Sequence, residues 1–166
     1  MIRRLLVVCV ALACSVSLAA CNQKNSPSAN PSASAPLGGV PLSRAENVAT
    51  GWITALNQAT VSGDTSDLKK FGTAACAVCT DFAHKLDVIY AAGGHVATKG
   101  WTVQSILPES GGTAARPVFL VKATSAPQTV VTSKGATPSK LTGGALQLRM
   151  ILVQAGNTWK IERIDV

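Results

Sequence analysis

Acids, aromatics and histidines are all scarce in this chain. Eight Asp+Glu stand against fifteen Lys+Arg, aromatics make up 4%, and there are two histidines and one tyrosine. Each shortage closes a class of chemistry. A four-ligand metal site built on Cys76-Ala-Val-Cys79 would need two more ligands. No second C-x-x-C exists, and His84 and His95 are expected on a solvent-facing helix surface and at a strand start, so no metal and no cofactor is expected. There is no Ser-His-Asp spacing, no glycine loop to cradle phosphate and no pair of inward carboxylates. The basic residues are scattered, without a run interleaved with aromatics, so nucleic acid is not an expected partner. No apolar stretch reaches the roughly 20 residues of a membrane span, and no internal repeat is present.

What is present begins at the N-terminus, MIRRLLVVCVALACSVSLAACNQ. Arg3 and Arg4 form a charged region, and Leu5 to Leu18 an apolar one of signal-peptide length. Leu18-Ala19-Ala20-Cys21 resembles the lipobox of bacterial lipoproteins. The resemblance implies cleavage of residues 1–20, diacylglycerol on the Cys21 sulfur and an acyl chain such as palmitate on its amine. It also implies a place on the extracytoplasmic face of the cell membrane. Loss of the two arginines lowers the formal charge from +7 to +5. Cys9 and Cys14 leave with the signal and Cys21 carries lipid. Cys76 and Cys79 then remain as an even pair in an oxidising compartment, which favours a disulfide.

Residues 21–42, after the lipidated cysteine, are rich in Ser, Ala and Pro and cannot bury a core, so they are expected to be a disordered tether. Residues 43–166 are long enough for one globular domain. Ser43-Arg44-Ala45-Glu46 fits a capping box. Ala45, Val48, Ala49, Trp52, Ile53, Leu56 and Ala59 follow at helical spacing to about Thr60. Thr65 or Ser66 is expected to cap a short second helix through Phe71. A third helix is expected over about Cys76–Ala92, closed by Gly93-Gly94. After that the pattern turns to strands: HVATKGWTVQSIL, RPVFLVKATSA, GALQLRMILVQ and TWKIERIDV. Leu146, Leu148, Met150 and Leu152 should share one face. Ala155-Gly156-Asn157 is a hairpin turn, and a bulge is expected near Glu162, where the apolar alternation changes phase. Gln128–Thr132 allows a short extra strand and Ser133–Gly144 reads as a loop.

The predicted class is α+β, three N-terminal helices packed in a curved antiparallel sheet. This arrangement resembles the nuclear transport factor 2-like cone. A second resemblance is carried by W-I-x-A-L-N-x-A (Trp52–Ala59), G-D-T-S (Gly63–Ser66), C-A-V-C, I-Y-A-A-G-G (Ile89–Gly94) and G-W-T-V (Gly100–Val103). Together these resemble an actinobacterial family of cell-envelope lipoproteins of unknown function, which implies a location and no activity.

Three functional readings follow. The first is a membrane-anchored, non-catalytic domain that binds an envelope protein or small ligand, with Tyr90, Trp52 and Trp101 as candidate pocket residues. The second is a thiol–disulfide protein with Cys76 as nucleophile and Cys79 as resolving thiol, because a helix N-terminus favours thiolate. It requires an exposed Cys76. The third is a small-molecule enzyme using Tyr90 as oxyanion donor, which requires an acid or histidine beside it. Among these the pair Cys76/Cys79 is expected to be a structural staple.

Overall fold

The structure is a computed structural model and describes residues 42–166, with side chains from Arg44 onward. The expected signal peptide, Cys21 and the expected tether up to residue 41 lie outside the described residues. Two α-helices precede seven strands: α1 (Leu42–Ser62), α2 (Ala77–Ala91), β1 (His95–Thr98), β2 (Trp101–Pro108), β3 (Val118–Ser125), β4 (Gln128–Val131), β5 (Ser139–Leu141), β6 (Gly144–Ala155) and β7 (Thr158–Asp165). The class is α+β with antiparallel sheets.

Two helices form rather than three. Residues 65–71 make only a single 3-10 turn, Leu68–Lys70. A segment this short cannot offset the cost of nucleating an α-helix. Buried Leu68 anchors the turn, and the chain must straighten at Gly72 to run beside β7. Ser43, expected outside the first helix as its cap, lies within α1.

The sheet also divides. β2, β3, β6 and β7 form a four-stranded antiparallel sheet in that order, while β1, β4 and β5 form a separate three-stranded one. The break falls inside the predicted first strand, at Lys99-Gly100. Gly100 takes φ +81°, a left-handed conformation that side-chain-bearing residues avoid, so the strand turns out of one sheet and into the other. Part of the predicted loop 133–144 pairs as β5 against β4.

The core lies between the helices and the inner face of the four-stranded sheet. α1 contributes Ala45, Ala49, Trp52, Ile53, Leu56 and Ala59, the stripe set by its 3.6-residue period. The sheet contributes Phe119 and Val121 from β3, Leu148, Met150 and Leu152 from β6, and Trp159, Ile161 and Ile164 from β7. In β7 the register skips Glu162: Leu152 faces Ile161 while Ile151 faces Arg163. The bulge lets Ile161 and Ile164, three apart, enter the same core.

Candidate functional site

Cys76 and Cys79 form a disulfide across the first turn of α2. Cys76 is the N-cap, and its Sγ accepts a hydrogen bond from the Cys79 amide at 3.3 Å. Cys76 is fully buried and Cys79 is 6% exposed. Against them lies Gly72, where an added Cβ would stand 2.9 Å from the Cys79 Cβ. The close approach requires glycine, and it lets segment 71–73 slide between the disulfide and the outer edge of β7. There the Thr73 amide donates to the Ile161 carbonyl (2.9 Å) and the Ile161 amide to the Phe71 carbonyl (2.8 Å). The segment is a strap over an otherwise open strand edge, and the disulfide holds the helix end to it.

A groove of about 360 Å³ opens beside the strap, lined among others by Lys69, Thr73, Cys79, Thr80, His84 and Asp87. Asp87 is more than a solvated surface acid. Its carboxylate accepts from the Thr65 hydroxyl at 2.6 Å and from Lys69 Nζ at 2.7 Å, tying the 3-10 turn to α2. The Lys69 and Thr65 hydrogen bonds hold its pKa below the usual aspartate value. Thr65, expected to cap a helix, is the buried polar partner in this link. An external thiol cannot reach Cys76, so the arrangement lacks the exposed nucleophile that thiol–disulfide exchange through Cys76 needs.

The other sequence candidates separate into two places. Trp52 and Trp101 meet edge to face at 6.3 Å, and both meet Phe82 edge to face, at 5.9 and 5.7 Å. The three rings fill the space between α1, α2 and β2. Tyr90 does not join them. Its hydroxyl lies 2.7 Å from the Thr60 carbonyl and 2.9 Å from the Val61 carbonyl, and accepts weakly from the Val96 amide at 3.4 Å. The hydroxyl is thus spent on joining the end of α1 to the start of β1, and neither an acid nor a histidine side chain is among its hydrogen-bond partners.

Asn57 does work that the helical pattern of α1 conceals. Its side-chain amide donates to the Trp101 carbonyl (2.8 Å) and accepts from the Trp101 amide (2.7 Å), pairing with β2 as a neighbouring strand would. Gly100 makes this possible, because a Cβ there would meet Asn57 Oδ1 at 2.6 Å. Asn57 lies in the first segment quoted for the family resemblance and Gly100-Trp101 in the last.

A further concavity is one the sequence pattern did not assemble. Two depressions, about 530 and 400 Å³, share Lys70 and Phe71 and form a trough along α1 toward β7. Its apolar residues include Val48, Ala55, Phe71 and Trp159, Arg44 and Lys160 add positive charge, and Lys70 is paired with Asp67, which also lines it. Trp159 Nε1 is buried without a hydrogen-bond partner. One sequence signal pointed here. Gly51 sits inside α1, where glycine costs about 1 kcal/mol relative to alanine. The Phe71 ring occupies the room it leaves, 2.7 Å from where a Cβ would be.

No protein-family model matches the sequence, and no curated protein does. Among solved structures, the fold is similar to the crystal structure of the intermembrane space region of the chloroplast protein ARC6. The TM-score is 0.53 and the identity 12%, over 74% of this chain and 92% of that one. A cystatin-like-fold protein from Caulobacter vibrioides gives a TM-score of 0.49 at 10% identity, over 74% of this chain and 85% of that one. A member of the NTF2-like family from Streptomyces avermitilis gives 0.42 at 11%, over 74% and 92%. At these identities the likeness to the ARC6 region is one of fold alone.

Proposed function

We propose that the protein is a lipid-anchored domain of the bacterial cell envelope that binds a protein partner without catalysis, its contact surface being the Phe71 trough. The trough carries the reading: two adjoining depressions, partly apolar, are bordered by Arg44, Lys160 and the Lys70–Asp67 ion pair. Recognition surfaces characteristically combine aromatic anchors with a polar rim. The anchor reading rests on Leu18-Ala19-Ala20-Cys21, and the cone-like architecture on helices packed against one face of an antiparallel sheet. The fates of Tyr90 and Cys76 support the non-catalytic side, since one hydroxyl is hydrogen-bonded to backbone and one sulfur is buried in a disulfide.

Two experiments test the two halves. Labelled palmitate should enter the wild-type chain in cells and fail to enter Cys21→Ala; equal labelling would remove the anchor. A photo-crosslinking amino acid at Thr54, in the trough, should give a discrete adduct in native envelope membranes. The same group at Lys122, on the outer face of β3, should not. Identical products from both positions would remove the trough as the contact surface.

A further inference from the structure

Charge is unevenly placed over this fold. All eight carboxylate side chains lie at or beyond Glu46, and between Asp87 and Glu162 only Glu109 occurs. The three-stranded sheet with its turns, residues 93–100 and 126–144, therefore contains no acid. It does contain Lys99, Lys134, Lys140 and His95. Elsewhere Lys69, Lys70, Lys85, Arg116, Arg149 and Arg163 each hold a carboxylate, while Arg44, Lys122 and Lys160 stand singly on other faces. None of the three lysines on the small sheet is in an ion pair among the described residues.

The register places His95 and Lys140 on one side. Ala97 lies opposite Thr129, and Thr129 opposite Lys140, while His95 lies opposite Val131. Residues directly opposed across a sheet point to the same face, so His95, Ala97, Thr129, Lys140 and the buried Val131 share the outer one. Val96 and Val130 take the inner face and pack against the core. Lys134 follows β4 at one end of the sheet and Lys99 follows β1 at the other. β5 pairs on one side only.

We infer that the outer face of the β1–β4–β5 sheet docks on an anionic phospholipid bilayer. Charge complementarity carries the argument: three unmatched ammonium groups and no carboxylate meet a layer of phosphates. The face is short and has small residues between its cations. Lysine stems can lie along the interface with their ammoniums on phosphate. This surface is distinct from the trough and needs no lipid on Cys21.

The test is hydrogen exchange on the full chain, bound to phosphatidylcholine vesicles with or without phosphatidylglycerol. Vesicles of phosphatidylcholine alone are the control for any attachment that does not depend on charge. Exchange in β4 and β5 should slow only where phosphatidylglycerol is present, and recover at high salt. The docked-to-free ratio read from that protection should fall about fivefold for each lysine neutralised. The set Lys99→Gln, Lys134→Gln and Lys140→Gln should therefore lower it about a hundredfold. Equal exchange on both vesicle types would overturn the inference, as would unchanged protection in the triple variant. Equal protection by soluble polyphosphate would assign the face to a polyanion and overturn the bilayer. Absence of palmitate at Cys21 would leave this result standing.

Discussion

Opening the Cys76–Cys79 bond separates a structural staple from any other role, and the fold sets the size of the effect. The bond closes a loop of about four residues, for which the chain-entropy model gives about 2 kcal/mol of stabilisation. For a domain of this length, roughly 3–5 °C of melting temperature accompanies each kcal/mol, so reduction alone should lower the transition by about 6–10 °C. Cys76→Ala with Cys79→Ala removes two buried sulfurs as well, and each should cost roughly a further 1 kcal/mol of burial. Alanine is the proper replacement, because serine would strand hydroxyls where Cys76 is fully buried. Scanning calorimetry of the full chain, oxidised and reduced, gives the global number. Hydrogen exchange gives the local one: the Thr73 and Ile161 amides bond across the strap and should exchange faster once it is unpinned. A reduced protein that melts with the oxidised one, its Ile161 amide equally protected, would refute the staple.

Three further outcomes are expected. Tyr90→Phe keeps the ring against Gly63 but removes the hydroxyl bonded to the Thr60 and Val61 carbonyls, and should cost about 1–2 kcal/mol in denaturant titration; a parent-like midpoint would mean those carbonyls are as well served by water. Asn57→Ala leaves the Trp101 amide and carbonyl without partners and should cost about 2 kcal/mol, with β2 exchange rising more than β6 exchange; a uniform rise would argue against edge pairing. Asp87 has its pKa lowered from 3.8 in the folded state, so its stabilisation is complete above that value and is lost as pH falls through the lower folded one. Asp87→Asn should accordingly flatten the acid limb of a melting-temperature profile, and an unchanged limb would assign acid sensitivity to other carboxylates.

Periodic features of the sequence translated directly into structure. The α1 stripe from Ala45 to Ala59, the inner face Leu148, Met150 and Leu152, the Gly156-Asn157 turn and the bulge at Glu162 are all local patterns that burial must obey. What periodicity could not supply was partnership between distant segments. Thr65 and Ser66 carry good capping chemistry, yet the Thr65 hydroxyl goes to Asp87, twenty-two residues on. HVATKGWTVQSIL is rich in strand formers on both sides of Gly100, and a lone glycine does not say that the strand turns there, whereas the left-handed Gly100 and the Asn57 amide paired with Trp101 together fix the split. Tyr90 sat on the expected inward side of its helix, but an inward position does not say whether a hydroxyl meets a cavity or a carbonyl. The trough was hidden for the same reason: Arg44, Phe71 and Trp159 come from three separated stretches, and only Gly51 hinted that a ring would press on α1.

The skipped residue in β7 has a consequence for how the chain tolerates changes in length. Glu162 has no partner opposite it on β6, and its side chain pairs instead with Arg116 at 2.6 Å. Deleting it would leave Trp159, Ile161 and the present Ile164 in simple alternation, all three still able to face inward. Deleting Lys160 instead would shift Trp159 out of phase with Ile161 and press one of them toward water. Two deletions within three positions of each other should therefore differ sharply, the first tolerated at the loss of an exposed ion pair and the second disruptive. β7 is one residue longer than its inward pattern demands, and the surplus is confined to position 162.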